Sequence, residues 1–239
     1  MSPLAAQTRK LAVLQSNYIP WKGYFDLINE VDEFVLYDDM QYTSNDWRNR
    51  NRIKTPQGPI WLTIPVATKG HFGQPICDVK VVNDLWRRKH WVALTLNYAR
   101  APHFQRYRAA FEALYLDSTE DRLSAINFGF LQTVCDILGI KTRLSWSMDC
   151  ALDGDRNERL VGLCRQFGAT HYRSGPAARA YLDAARFTQA GIDVSYVDYA
   201  GYPNYTQLFG DFVHEVSVLD LIFNEGPDAP RFMKSFGQR

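Results

Sequence analysis

Three stretches of this 239-residue chain gather side chains suited to chemistry. The densest is Arg48-Asn49-Arg50-Asn51-Arg52, three guanidiniums within five residues. In an extended backbone Arg48, Arg50 and Arg52 share one side and Asn49 and Asn51 the other. Guanidinium forks match phosphate or carboxylate oxygens bidentately, so a phosphate-bearing ligand is one expectation. A solvated loop paired with Asp38, Asp39 and Asp46 is the other.

The pair Asp38-Asp39 could hold a divalent metal, orient a sugar hydroxyl or act as a base. Neighbours on a strand point to opposite faces, so the two are not expected to work as one catalytic pair. Asx capping of a strand end is the structural alternative. The third stretch is Trp86-Arg87-Arg88-Lys89-His90-Trp91. Trp86, Lys89 and His90 fall at i, i+3 and i+4 and so share a helix face. Ring, ammonium and imidazole together could stack a base or sugar, hold a phosphate and shuttle a proton. A basic surface helix with a partly buried Trp accounts for the same residues.

The elements that must position these groups follow from hydrophobic pattern. Leu11–Leu14 is an apolar run that ends at Gln15-Ser16-Asn17; a loop with Pro20 and Gly23 leads to a helical pattern, then to a second run, Phe34–Tyr37. That is a βαβ unit with parallel strands. Ligands of open α/β sheets bind outside the carboxyl ends of the strands, where Gln15-Ser16-Asn17 and Asp38-Asp39 both sit. Ile60–Val66 is expected as a third strand buried on both faces, after the turn chemistry of residues 54–59. Cys77–Val82 is expected as a short edge strand. Residues 84–138 read as a helical insertion of three helices, the first capped by Asp84. Alternation then resumes, with strands at Arg143–Trp146, His171–Arg173 and Asp193–Val197. Helices are expected at Asp155–Phe167, Ala177–Arg186 and Val213–Phe223. The expectation is therefore a single α/β domain over 10–239, a mostly parallel Rossmann-like sheet with helices on both faces. The segment 1–9 is expected to be disordered.

Composition narrows the partners. Hydrophobic residues make up 46% and charged residues 22%, with a net charge of +1, which argues against a nucleic-acid coat protein. Residues 1–9 lack the apolar core of a signal peptide, and no run approaches the roughly 18 apolar residues of a membrane span. The four cysteines show no CxxC or zinc spacing, so Cys135 and Cys164 are expected as buried free thiols and the protein as cytoplasmic. There is no Walker loop, GxGxxG or HExxH.

With these residues in hand, the chain resembles the WbqC-like protein family of bacteria. The matching stretches are Leu14-Gln15-Ser16-Asn17-Tyr18-Ile19-Pro20 with Gly23-Tyr24-Phe25, Tyr37 through Tyr42, and Trp47 through Arg52. Further matches are Trp86 with Lys89-His90, Tyr98 with Ala101-Pro102, Asn127, Tyr181-Leu182, Tyr205 with Gln207, and Ser217 through Asp220 with Asn224 and Gly226. Ser16-Asn17 departs from the family's usual Pro followed by an aromatic. Such proteins sit among genes for O-antigen, other surface polysaccharides and natural products. The resemblance therefore implies a transferase placing an acyl or aminoacyl group on an amine or hydroxyl of an activated sugar or related molecule.

A fainter likeness of the opening unit to adenylate-forming nucleotidyltransferases implies an ATP-dependent amide ligase instead, although the loop Tyr18–Tyr24 lacks their His motif. A non-catalytic partner of a pathway transferase is the third alternative. No cofactor is firmly implied; an acyl donor, or ATP with Mg²⁺, fits these alternatives. The substrate is expected to be a small phosphate-bearing molecule, and a homodimer would suit the aromatic helix surfaces.

The strand ends and the polar positions of the matched stretches nominate the site. His90 is the candidate general base, with Asp38 and Asp39 orienting the acceptor. Gln15, Asn17, Tyr18, Lys22, Tyr24, Trp47, Arg50, Asn51, Arg52, Trp86, Lys89 and Asn127 are the candidate substrate-binding residues. No metal ligands are nominated.

Overall fold

In the computed structural model, which describes residues 8–238, the run Lys10–Leu14 forms strand β1 and Lys22–Asn29 forms helix α1. Strand β2, Glu33–Leu36, lies parallel to β1 with Ala12 opposite Phe34. Alternation along these strands divides the core in two. Ala12, Phe34 and Leu36 join one hydrophobic cluster, while Leu11, Val13, Val35 and Tyr37 join the other across the sheet.

After β2 come strands β3 (Arg50–Thr55) and β4 (Gly58–Thr63), then helices α2 (Leu85–Tyr98), α3 (Phe104–Leu116) and α4 (Leu123–Leu138). The remaining elements are β5 (Arg143–Trp146), α5 (Arg156–Gln166), β6 (His171–Ser174), α6 (Ala184–Gln189), β7 (Asp193–Tyr196) and α7 (Val218–Glu225). The main sheet is parallel with the order β5-β2-β1-β6-β7. Connections run outward in one direction from β1 through β2 to β5, and in the other through β6 to β7. The reversal between β1 and β6 makes a topological switch point at their carboxyl ends, the usual place for a ligand.

Ile60–Val66 does not join this sheet. Only Pro56 and Gln57 separate the paired residues Thr55 and Gly58, and Gly58 takes a positive φ of 102°. So short a link permits only antiparallel pairing, because a parallel crossover needs a dozen residues or more. The result is a separate two-stranded hairpin whose outer residues Ile60 and Trp61 are exposed. Cys77–Val82 is likewise not a strand. Ile76–Asp78 is one 3-10 turn, and Val81 and Lys80 make single bridges to different partners, Val66 and Arg122.

Local capping explains other boundaries. Asn83, not Asp84, accepts from the Leu85 N–H at 3.0 Å, while Asp84 turns to Arg87 at 3.3 Å. The last helix begins at Val218 rather than Val213, because the Ser217 hydroxyl caps it and the Ser217 N–H is committed to the Arg52 carbonyl at 2.8 Å. Residues 177–186 are split between a 3-10 turn, Pro176–Ala180, and α6, which Asp183 caps. Helix α5 carries a full capping box from Asp155 and Glu158. Cys135 and Cys164 are buried thiols, each pushed up to about 12 by desolvation.

Of the N-terminal segment, residues 1–7 lie outside the described residues, and the Arg9 carbonyl accepts from the N–H groups of Thr170 and His171. No helix among the described residues is long and apolar enough to cross a membrane.

Candidate functional site

A cleft of about 210 Å³ opens beyond the carboxyl end of β1, lined by Asn17, Pro20, Trp21, Trp47, Asn51 and Glu215. Its floor is the loop after β1, and β3 holds that loop in place. Asn51 Nδ2 donates to the carbonyls of Tyr18 (3.2 Å) and Ile19 (3.0 Å), and its Oδ1 accepts from the Arg52 N–H at 2.8 Å. Ile19 has a φ of 37°, a costly conformation for a β-branched residue that persists only where neighbours over-determine it. Arg48 spans the same loop from outside, its two terminal nitrogens donating to Gln15 Oε1 and Asn17 Oδ1. Together these bonds hold the cleft's floor rigid.

The hairpin supplies one wall. Asn49 and Asn51 are buried while Arg50 and Arg52 lie on the opposite, half-buried side, the alternation an extended segment dictates. Trp61 sits directly across the ladder from Arg52. The Arg50 guanidinium lies 4.3 Å and that of Arg52 5.6 Å from the Trp61 ring centre. Trp47 packs on the same indole at 5.4 Å. The Nε atoms of Arg48, Arg50 and Arg52 are buried without a protein partner. Arg52 also faces Glu215 at 3.7 Å. Stacked, part-dehydrated guanidiniums of this kind suit an anionic, planar ligand.

The other nominated residues lie behind this surface. Asp38 is fully buried, accepting from the Ser16 N–H at 2.8 Å and from the Ser124 hydroxyl. Burial pushes its carboxyl above the usual carboxylate range. Asp39 points to the opposite face, accepting from Ser147 and Arg159. Asn127, one turn after Ser124 on α4, donates to Ser16 Oγ (3.0 Å) and to the Arg48 carbonyl (2.9 Å). One face of α4 thus ties the two strand ends together. The Tyr24 hydroxyl donates to the Gln15 carbonyl at 3.0 Å.

His90 is buried in a box of Tyr18, Trp86 and Tyr115, with the Tyr18 hydroxyl 2.9 Å from its Nδ1. Desolvation lowers its imidazole to about 4, and a hydrogen bond to the Thr63 backbone opposes the shift. Lys89 is not on that face; it points to solvent, and Arg87 lies on Trp86 at 4.8 Å in its place. Lys22 is buried at the start of α1, donating to the Pro203 carbonyl at 2.9 Å among the rings of Tyr202, Tyr205 and Phe212. Burial lowers its ammonium to about 8. It anchors the segment before α7.

Of the nominated set, the cleft therefore brings together Asn17, Trp47 and Asn51. Arg50 and Arg52 lie on the hairpin's other face, where Arg50 donates to Asn45 and Arg52 reaches the cleft residue Glu215 at 3.7 Å. Asp38, Tyr24 and Asn127 hold the loop behind it, and Tyr18 links that loop to His90 and Trp86. Asp39 lies on the opposite face, and Lys22 is buried against the segment before α7. Pro20, Trp21, Trp61 and Glu215 were not nominated. Trp21 lies in the opening loop between the matched stretches Leu14–Pro20 and Gly23–Phe25, and Trp61 alternates on a strand, both signals present in the sequence. Glu215 comes from 163 positions beyond Arg52, and only folding brings it there.

Glu215 and Trp21 also line a neighbouring cavity of about 360 Å³ with Tyr199, Gly201, Tyr202 and His214. A larger polar groove of about 680 Å³ lies at the amino ends of β1, β6 and β7, away from this cleft. Within it Arg173 pairs with Glu30 at 2.6 Å and His171 lies 2.6 Å from the Ser195 hydroxyl.

Likeness to known proteins extends along nearly the whole chain. No solved structure matches it. An uncharacterized protein of Mycobacterium tuberculosis is 49% identical over 226 residues, covering 95% of this chain and 98% of its own length. The sequence profile of the WbqC-like protein family matches residues 15–232, the span from the cleft's first polar residue to the turn after α7, and the chain belongs to that family.

Proposed function

We propose that the chain is a transferase that attaches an acyl or aminoacyl group to an amine or hydroxyl of a nucleotide-activated sugar or similar phosphate-bearing molecule. The observation that supports this reading is the stacking of Arg50 and Arg52 on Trp61, their Nε atoms unpartnered, on a hairpin joined through Trp47 and Glu215 to the cleft beyond the carboxyl end of β1. The guanidiniums hold the diphosphate, and Trp47 and Trp61 offer faces for a base or sugar. The sugar's amine or hydroxyl then reaches the junction that Trp21 and Glu215 form between the cleft and the neighbouring cavity. That cavity receives the activated acyl group.

In the reaction the acceptor nitrogen or oxygen attacks the acyl carbon, and the bond from that carbon to its leaving group breaks. The acceptor's proton passes to the Glu215 carboxylate, and the leaving group departs with the bonding electrons. His90, Asp38 and Asp39 are positioning residues in this scheme. His90 acts through Tyr18, Asp38 through Ser16, and Asp39 through the end of β2.

A thermal-shift panel of nucleotide-sugars, acyl-CoAs, and ATP with and without Mg²⁺ tests the proposal. A ligand at 100 times its Kd adds about 2.7 kcal/mol, roughly 5–10 °C for a chain of this size. A shift with nucleotide-sugars that Arg52→Ala abolishes is the expected result. A shift with ATP alone would favour an amide-forming ligase. Silence across the panel would overturn the proposal in favour of a non-catalytic partner.

A further inference from the structure

The outward side of α2 is unlike any ordinary solvated helix face. Leu85, Arg88, Lys89, Val92 and Leu96 recur at helical spacing and are all exposed, with Leu85 at 67%, Val92 at 46% and Leu96 at 78%, and the exposed Arg100 follows in the turn just past the helix. The apolar residues form a seam one side chain wide, flanked by three cations and no anion. No ion pair among the described residues engages Arg88, Lys89 or Arg100. The nearby acids are occupied elsewhere, Asp84 by Arg87, and Glu112 by Arg108 and the Trp91 indole N–H.

We propose that this face docks an acidic amphipathic helix of a partner protein. The apolar seam runs from Leu85 to Leu96, about 16 Å at the α-helical rise, enough to lie along three turns of a partner. A narrow apolar line with flanking charges is the geometry of helix-against-helix pairing. A membrane-surface helix instead carries a broad apolar face with aromatic residues among its contacts, and this face has no aromatic residue. A second copy of the same face would set cations against cations, which disfavours self-pairing. An acidic helix satisfies both components, placing its own apolar residues on Leu85, Val92 and Leu96 and its carboxylates near the three cations.

The test uses a fluorescein-labelled synthetic helix of roughly four turns, with leucines on one line and glutamates beside them, read by anisotropy against the full chain. Wild-type protein is expected to bind it. Leu96→Glu or the pair Arg88→Glu with Lys89→Glu should each weaken binding about tenfold or more. Arg106→Glu, an exposed cation on α3, should leave it unchanged. A peptide with lysines in place of glutamates should prefer the Arg88→Glu/Lys89→Glu protein to wild type. Unchanged circular-dichroism melts would confirm that the variants fold. No binding, equal binding of a peptide with scrambled leucines, or insensitivity to these variants would overturn the proposal. So would phosphatidylglycerol vesicles, or a dimer seen by sedimentation, if either is lost with Leu96→Glu while peptide binding is absent.

Discussion

The Tyr18 hydroxyl lies 2.9 Å from Nδ1 of His90, and both side chains are buried. Tyr18 follows Asn17 on the cleft floor, so the imidazole touches the site through one intervening ring. Its low proton affinity has a thermodynamic consequence. The unfolded chain takes up a proton near pH 6.5, whereas folded His90 does so only at about 4. The unfolded state therefore binds more protons between those values. The His90 contribution is complete above 6.5 and is lost as pH falls towards 4, by about 3 kcal/mol in all. Urea unfolding at pH 7.5 and pH 4.5 should show this loss in wild type and a smaller loss in His90→Gln. Equal losses in the two proteins would refute the assignment.

Arg48 is the clamp of the cleft floor. Its two terminal nitrogens engage Gln15 and Asn17 at once, a task that needs a planar fork. Arg48→Lys keeps the charge but places a single ammonium there, so one of the two contacts is lost. The variant should fold, with a melting temperature within a few degrees of wild type, and should bind the nucleotide-sugar identified in the panel about tenfold more weakly. Isothermal titration would read that change. Wild-type affinity in Arg48→Lys would mean that the loop needs no clamp.

How far the fold was legible depended on whether a signal was local. The opening strand, helix and strand showed in the periodicity of Leu11–Tyr37, and the opposed directions of Asp38 and Asp39 followed from strand geometry alone. The turn at residues 54–59 shows in the sequence too, but the apolar letters of Ile60–Val66 point to a doubly buried strand. The two-residue link decides against it, because so short a connection cannot lead to a parallel neighbour. Helical spacing groups Lys89 with Trp86 and His90, but residues i+3 and i+4 diverge enough for Lys89 to meet solvent while His90 is buried.

The site was legible only in part for the same reason. Asn17, Trp47, Asn51 and the arginines cluster in sequence, while Glu215 arrives through a distant segment that was read as helix. Ser16, the departure from the family's usual proline, has a structural counterpart. Its N–H donates to Asp38 and its hydroxyl accepts from Asn127, and a proline could make neither bond.

Asp220 anchors the far side of the hairpin. It is fully buried and accepts from the hydroxyls of Tyr98 and Tyr205, each at 2.8 Å; Tyr98 in turn accepts from the Lys54 N–H of β3 at 3.0 Å. Asp220→Ala leaves two buried hydroxyls without their acceptor, at a cost of about 3 kcal/mol. At roughly 2–4 °C per kcal/mol the melting temperature should fall by about 6–12 °C. Asp220→Asn, which keeps one acceptor oxygen, should fall between that variant and wild type. An unchanged melting temperature in Asp220→Ala would show that the network contributes no net stability.

Glu215 separates binding from chemistry. Its carboxylate stands at the mouth shared by the two cavities, with Arg52 at 3.7 Å and most of its surface open to solvent. Glu215→Gln preserves size and hydrogen-bonding capacity but cannot accept the acceptor's proton. Once a donor and acceptor pair is in hand, this variant should retain the thermal shift with nucleotide-sugar and lose turnover by about 10²–10⁴, the usual contribution of a general base. Arg52→Ala should do the reverse, losing the shift first and turnover with it, and the two variants together distinguish a failed proton acceptor from a failed binding site. If Glu215→Gln turns over at the wild-type rate while Arg52→Ala still abolishes binding, the cleft is a true site whose base lies elsewhere. His214, on the wall of the neighbouring cavity, is then the next side chain to remove.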